Sequence, residues 1–157
     1  MGEKLEKFRP PSRFEHWFNA LVALLAKLGI TFPDGYRLLV VGRKSGKTHT
    51  IAVTVPTIDG KKYLVAPRGE TQWVRNVRAA GRAALEKGSK TDFFRVEEIT
   101  GSAKNAILAE YLRRYHKAVQ RYFEIPAGAG AEEFATIADA YPVFALEPTT
   151  NSDGDSV

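Results

Sequence analysis

The residues best suited to chemistry in this chain form a basic turn between two strand-like runs. Residues 42–47 have the sequence GRKSGK, with an apolar run (LLVV, 38–41) before them and a β-branched run over 50–58 after them. Such a turn can direct backbone N–H groups and positive charge at one point, which is how proteins hold a phosphate group. Its three cations and nearby His49 would repel one another unless an anion lay between them. The turn therefore predicts an anion site, and a solvated hairpin end is the alternative.

A second group of candidates begins where a later strand ends. Residues 66–76 (APRGETQWVRN) run through a glycine-containing turn into a helix, which Thr71 is expected to cap. The N–H groups at a helix N-terminus are free to bind an acceptor on a ligand. Trp73 and Asn76 are three residues apart, so their side chains share one helical face and can reach a ring system together. Core packing of Trp73 and a capping or surface role for Asn76 are the alternatives.

The composition argues against chemistry carried by the protein alone. The chain has no cysteine, and its three histidines (His16, His49 and His116) lack any metal-binding spacing, so no metal site is predicted. No Ser/His/Asp arrangement or close pair of carboxylates is visible, so an enzyme built on this chain would depend on a bound cofactor. The net charge of +5 favours anions in general. Nucleic acid is not expected, because the cations are not interleaved with aromatic residues on a strand.

The order of elements predicts the fold class. Six short strands, mostly joined by hairpins, are predicted over 38–41, 50–58, 62–66, 83–86, 91–99 and 143–146. Helices are predicted over 13–28, 72–79, 103–122 and 132–140. This order predicts an α+β fold with a small, closed or half-closed antiparallel β-barrel flanked by helices. We expect one domain over 12–148, between a flexible lead-in (1–11) and a disordered tail (149–157).

The first predicted helix, from Phe14 to Leu28, is apolar on nearly all sides. Two interpretations of it stay open: packing against the protein's own sheet, and peripheral contact with a membrane surface or a lipophilic substrate. The segment is too short to cross a bilayer. The short length of this segment and the absence of cysteine predict a cytoplasmic protein. If the helix contacts lipid, the protein would also be membrane-associated.

Taken together, these motifs resemble one known family. The LLVVGRKSGK run, the following hairpin, the LVAPRG segment and the WVRNVRAAG helix are similar to the deazaflavin-dependent nitroreductases of actinobacteria, over about residues 36–147. The resemblance implies a split β-barrel of the FMN-binding type and binding of coenzyme F420, a deazaflavin with a phosphodiester and an oligoglutamate tail. It also implies a cytoplasmic oxidoreductase acting as a nitroreductase or quinone reductase.

The resemblance implies a cofactor groove that begins at the basic turn. The turn would hold the phosphate and the start of the tail, residues 52–54 would pass under the deazaflavin, and residues 66–68 and the following helix would meet the ring or tail. His49 stands where the family usually has arginine. The implied cofactor-binding residues are Arg43, Lys44, Ser45, Gly46, Lys47, His49, Ala52, Val53, Thr54, Ala66, Pro67, Arg68, Trp73 and Asn76.

The implied reaction is hydride transfer from the reduced deazaflavin to an electron-poor acceptor, such as a quinone, a nitroaromatic or an activated alkene. A tyrosine from the later helix region would support the acceptor. Tyr111, Tyr115 and Tyr122 are the candidates, and Tyr122 is the preferred catalytic residue. Three alternatives stay open: a split barrel that uses FMN, a carrier that binds the cofactor without turnover, and a non-enzymatic binder of anions. Whether the protein is a monomer or a dimer is also open.

Overall fold

A computed structural model describes residues 34–149 of the chain. The predicted lead-in, the predicted first helix and the predicted tail beyond Thr149 lie outside the described residues. Within 34–149, seven strands form one antiparallel sheet in the order β2-β1-β5-β6-β7-β4-β3. The strands are β1 (Gly35–Val41), β2 (Thr48–Thr54), β3 (Thr57–Ile58), β4 (Lys61–Val65), β5 (Arg82–Lys87), β6 (Lys90–Glu98) and β7 (Val143–Pro148).

Three helices interrupt and cover this sheet in the described part of the chain. They are α1 (Gln72–Ala80), α2 (Gly101–Val119) and α3 (Ala131–Phe134). Helix α1 ends at Gly81, which has a positive φ of 66° as a left-handed helix cap requires. None of the helices within 34–149 is long and apolar enough to span a membrane. The curled half-barrel with its helices confirms the predicted α+β class.

The core has two parts because the sheet is covered on two sides. One cluster joins β1, β5 and β7 to α1, and Leu38, Val74 and Phe144 are among its members. The other lies between β7 and the helices α2 and α3, and Leu108 and Phe134 are fully buried in it. Strand β7 contributes to both clusters, since successive side chains of a strand point to opposite faces. Residues 143–146 of β7 are therefore all buried.

The predicted strand 50–58 is two strands, and the expected count of six becomes seven. Val55 and Pro56 separate β2 from β3, because Pro56 has no N–H to donate to a ladder and Val55 N donates instead to Asp34 O at 2.8 Å. Asp59 and Gly60, a pair typical of hairpin turns, join β3 to β4 with positive φ at both residues.

Two predicted helices end earlier than expected. The helix predicted over 103–122 ends at Val119, after non-helical dihedral angles at Tyr115, and continues as a 3₁₀ turn over Gln120–Tyr122. The helix predicted over 132–140 consists of α3 and a separate 3₁₀ turn over Ala138–Ala140. These shorter turns give the segment 120–141 the bends that shape the cavity described below.

Candidate functional site

The basic turn joins β1 to β2, and helix α1 holds it in place. Gly42 N donates to Lys47 O at 2.8 Å and Gly46 N donates to Gly42 O at 2.9 Å, which closes the turn. Asn76 of α1 is buried, and its Oδ1 accepts hydrogen bonds from Arg43 N at 3.2 Å and from Arg43 Nη1 at 2.8 Å. The two groups of candidates found in the sequence therefore meet in one place.

This contact also specifies what Asn76 does. Its side-chain oxygen is occupied by Arg43, so the amide acts in the structure as a clamp on the turn. Gln72 adds a third contact, since its Oε1 accepts from Arg43 Nη1 at 3.0 Å. The alternatives of a helix cap or a free surface amide do not describe Asn76. Direct contact of Asn76 with a cofactor stays a prediction.

The remaining cations of the turn face solvent. Lys44, Lys47 and His49 are exposed, and Ser45 Oγ accepts from Lys47 N at 3.2 Å. The His49 and Ser45 side chains converge over Gly42, because a Cβ placed there would lie 2.6 Å from His49 Nε2 and 2.7 Å from Ser45 Oγ. The turn therefore presents two lysines, an imidazole and a hydroxyl, and the imidazole and hydroxyl lie over Gly42, where a side chain would displace them. This donor set fits a phosphate group.

Gly42→Ala is expected to weaken cofactor binding without unfolding the protein. The new methyl group would displace His49 Nε2 and Ser45 Oγ, which are ends of movable side chains, so the free energy of unfolding should change by less than about 1 kcal/mol. The Kd for F420 should rise roughly 2- to 13-fold, the value of one hydrogen bond. Gly130→Ala is the matched control, because its φ is −70° and a Cβ there meets nothing within 4 Å. Equal Kd values for the two variants would argue against a role in binding for the His49 and Ser45 side chains over Gly42.

Strand β2 offers backbone groups beside the turn. It pairs with β1 alone among the described strands, so one edge of the strand keeps its N–H and C=O groups unpaired by a ladder. Ala52, Val53 and Thr54 are half-buried at the far end of this strand. An edge strand that leads away from a cationic turn suits an elongated ligand with an anionic end and a ring that forms backbone hydrogen bonds.

The loop between β4 and α1 forms one wall of a cavity. Ala66 N donates to Pro142 O at 2.9 Å, which fixes the start of the loop against β7. Gly69 has φ +78°, and a Cβ there would lie 3.1 Å from Ala140 O, so the loop packs closely on the 3₁₀ turn before β7. A cavity of about 400 Å³ opens at this contact, lined by Pro67, Arg68, Gly69, Tyr122, Ala140 and Tyr141.

Thr71 and Trp73 complete this region at the start of α1. Thr71 occupies the N-cap position as predicted, but its side chain forms no capping hydrogen bond, and its Oγ1 is buried without a partner among residues 34–149. A buried hydroxyl without a partner carries a free-energy cost, so a ligand group that reached it would be favoured. Trp73 is half-buried, and its ring centroid lies 6.3 Å from that of Phe144, so the tryptophan packs on the core from the helix side.

The structure separates the three candidate tyrosines. Tyr111 is buried among aromatic rings, and Tyr115 donates a hydrogen bond to Asp34 Oδ2 at 2.5 Å; burial is the main cause that raises the pKa of both phenols. Tyr122 alone of the three lines the 400 Å³ cavity. The guanidinium of Arg121 lies 4.9 Å from the ring centroid of Tyr122.

Tyr141 and Phe123 hold Tyr122 in position. The Tyr141 hydroxyl donates to Tyr122 O at 2.5 Å, and the Phe123 and Tyr141 rings stack with centroids 4.4 Å apart. A neighbouring cavity of about 560 Å³ lies between residues 121–124 and 136–141 and shares Tyr122, Ala140 and Tyr141 with the first. The sequence did not indicate Tyr141 as part of the site, because a tyrosine before a strand-initiating proline is typical of core packing.

Comparison with solved structures identifies the fold as a split barrel. An F420-H2-dependent reductase (FDR-A) superposes with a TM-score of 0.52 at 20% identity, over 73% of this chain and 95% of that one. The protein Atu2129 from Agrobacterium tumefaciens, of unknown function, gives 0.55 at 20% identity over 74% and 49%. The heme storage protein HutZ from Vibrio cholerae gives 0.54 at 9% identity over 75% and 83%.

The family follows from a comparison with family models. Residues 18–126 match the model of the F420H(2)-dependent quinone reductases, and the chain belongs to that family. No curated protein sequence matches the chain. The resemblance to F420-dependent enzymes found in the motifs is confirmed, and so are the oxidoreductase class and the dependence on F420.

Proposed function

We propose that this oxidoreductase holds the anionic end of F420 at the turn 42–47 and presents the ring to the cavity beside Tyr122, where a quinone or another electron-poor acceptor is reduced. The observation that carries this proposal is the double hydrogen bond from Arg43 to Asn76. It connects the cationic turn to helix α1, whose preceding loop forms one wall of the cavity. An extended ligand can therefore contact both regions.

Each region of the groove has a separate task. Lys44 and Lys47 supply exposed positive charge and Ser45 a hydroxyl for a phosphate group. The free edge of β2, over Ala52 to Thr54, supplies backbone hydrogen bonds. Bound F420, when reduced, supplies the hydride. The chain itself orients the acceptor in the cavity beside Tyr122.

Tyr122 is the proposed contact for the acceptor. It lines the cavity opposite Pro67 and Arg68, and its backbone is fixed by Tyr141. A phenol hydroxyl can donate a hydrogen bond to a quinone or nitro oxygen, which stabilises the negative charge that develops there during reduction. Ala140 and Tyr141 form the remaining wall. The proposal thus assigns the cofactor to the turn and the acceptor to the 3₁₀ turns.

Steady-state reduction of quinones, nitroaromatics and enones by F420H2 tests this assignment. Tyr122→Phe should lower kcat/KM for the preferred acceptor roughly 2- to 13-fold, the value of one hydrogen bond, and leave the Kd for F420 unchanged. Tyr63→Phe is the control, since Tyr63 is also half-buried but lies on β4 outside the cavity lining. Absence of turnover with every acceptor class would favour a carrier, and an unchanged kcat/KM in Tyr122→Phe would remove the tyrosine from the acceptor site.

The proposal extends to the surroundings of the enzyme. The predicted helix from Phe14 to Leu28 lies outside the described residues, and its peripheral contact with lipid, like a cytoplasmic location, is part of this proposal. An apolar helix of this kind would suit an acceptor that dissolves in lipid. Flotation of the chain with anionic lipid vesicles tests the contact, and recovery of all protein in the lipid-free fraction would contradict it.

A further inference from the structure

One ion-pair network of the described residues includes the loop between β4 and α1. Arg78 of α1 forms two hydrogen bonds with Glu70, from Nη1 at 3.0 Å and from Nη2 at 2.9 Å. It also forms two with Glu98 at the end of β6, from Nε at 2.8 Å and from Nη2 at 2.9 Å. In the sequence, the near-helical spacing of Arg75, Arg78 and Arg82 is typical of a solvated face. Arg78 instead connects a helix, a strand and the loop 67–71.

The other attachments of this loop are backbone hydrogen bonds. Ala66 N donates to Pro142 O, Gly69 N to Ala66 O at 3.1 Å, Thr71 N to Gly69 O at 2.8 Å, and Arg75 N of α1 to Thr71 O at 3.3 Å. Among the side chains of residues 67–71 in the described structure, only that of Glu70 has a hydrogen-bond partner. The distal half of the loop therefore depends on Arg78 for its side-chain anchorage. That half continues directly from Pro67, Arg68 and Gly69, which line the cavity.

We infer that Arg78 is a positioning residue, which fixes the loop 67–71 and thereby the wall that Pro67, Arg68 and Gly69 present to F420 and its acceptor. This inference rests on the proposed function, because it assigns a supporting role to the same site. The guanidinium donates two hydrogen bonds to each of two carboxylates. Such bidentate contacts restrict the orientation of the guanidinium more than a single hydrogen bond would. Arg78 itself lies outside the cavity lining and does not contact the reacting atoms.

Lys104 places a further charge near this network. It lies in the first turn of α2, is 7% exposed, and has a pKa lowered mainly by burial. Its charge is attracted by Asp139, Glu98 and Glu70 and repelled by Arg78. Asp139 precedes Ala140, the residue on which Gly69 packs.

A positioning role predicts a larger effect on binding than on stability. Arg78, Glu70 and Glu98 have exposed fractions of 41%, 49% and 33%, and pairs of such exposure contribute little to stability. Loss of the anchor leaves the loop to sample other positions, and the Kd for F420 should rise by a factor of about five, the order expected when ordering of a loop opposes binding. The same loss should expose the loop amides to exchange.

The test combines two substitutions with one matched control. Arg78→Gln and Glu70→Gln should each raise the Kd for F420 about fivefold in fluorescence titrations and accelerate amide exchange at residues 69–71 of the free protein. Arg78→Lys keeps a cation at this position, so its affinity for F420 and its rate of amide exchange should lie between those of Arg78→Gln and the unsubstituted chain. Arg113→Gln removes a more exposed guanidinium of α2, which donates two hydrogen bonds to Glu110 away from the loop, and should change neither quantity.

The outcomes separate this inference from the proposed function. If the unsubstituted chain binds F420 and both variants bind it equally well with unchanged exchange at 69–71, Arg78 does not position the loop. If the unsubstituted chain binds no F420, the proposed function is contradicted instead. In that case faster exchange at 69–71 in Arg78→Gln still supports the anchoring of the loop, and unchanged exchange overturns it.

Discussion

Lys44→Ala is expected to raise the Kd for F420 by a factor of about 10 to 150, which corresponds to the roughly 1.5–3 kcal/mol of a charge-assisted hydrogen bond. Lys44 is exposed at the tip of the turn, and the Arg43–Asn76 clamp holds that tip in place. Removing the ammonium group removes a donor and a charge without disturbing any described packing. Titration of the intrinsic fluorescence of F420 measures the change.

Two controls make this prediction specific. Lys117→Ala removes an exposed lysine from the last turn of α2 and should leave the Kd within twofold, since only long-range charge is lost. The difference between the two variants should shrink as salt is added, because screening weakens exposed charges. An equal, small effect of both substitutions would mean that the turn attracts the cofactor only through net charge.

Phe144→Ala is expected to lower the free energy of unfolding by about 3–5 kcal/mol. Phe144 is 1% exposed on β7, which pairs with both β4 and β6, so the surrounding strands cannot collapse into the cavity left behind. Its ring also supports Trp73, with centroids 6.3 Å apart. The near-ultraviolet circular dichroism of the tryptophan should therefore weaken together with stability in urea denaturation.

Phe93→Ala is the matched control for this substitution. Phe93 is 41% exposed on β6, and its loss should change the free energy of unfolding by no more than about 0.5–1 kcal/mol. A loss below about 1 kcal/mol for Phe144→Ala would show that the centre of the sheet does not carry the packing described here.

Local sequence signals predicted most of the strands and the class of the fold. The alternation over 91–99 and the Asp59-Gly60 turn depend on neighbours along the chain, so both could be recognised without a structure. The division of 50–58 into β2 and β3 depends on Val55 N bonding to Asp34 O, a contact between distant residues. Such a contact leaves no periodic pattern in the sequence.

The same limit applies to the site. The basic turn and the start of α1 were recognisable from residue types, but their connection through Arg43 and Asn76 is a tertiary hydrogen bond. Arg78 has the helical spacing of a solvated face, and only its distances to Glu70 and Glu98 distinguish it from one. The separation of Tyr122 from Tyr111 and Tyr115 likewise depends on burial, because all three occur in one amphipathic pattern.

The tail shows where chain composition is a poor guide to a boundary. The sequence predicted disorder from Thr149 onward, yet Thr149 N and Oγ1 both donate to Phe93 O, at 3.0 and 3.1 Å. These bonds continue the pairing of β6 with β7 by one residue. Residues beyond 149 lie outside the described structure, so the rest of that prediction stays untested.

Titration of the purified chain with F420, in parallel with FMN, measures whether the turn 42–47 selects the deazaflavin cofactor. Saturable binding of F420 is expected, and it should weaken as salt is added, because the anionic end meets Lys44 and Lys47 in solvent. An excess of FMN should displace little of the bound F420, since FMN lacks the tail. Tight binding of FMN without affinity for F420 would contradict the proposed cofactor site.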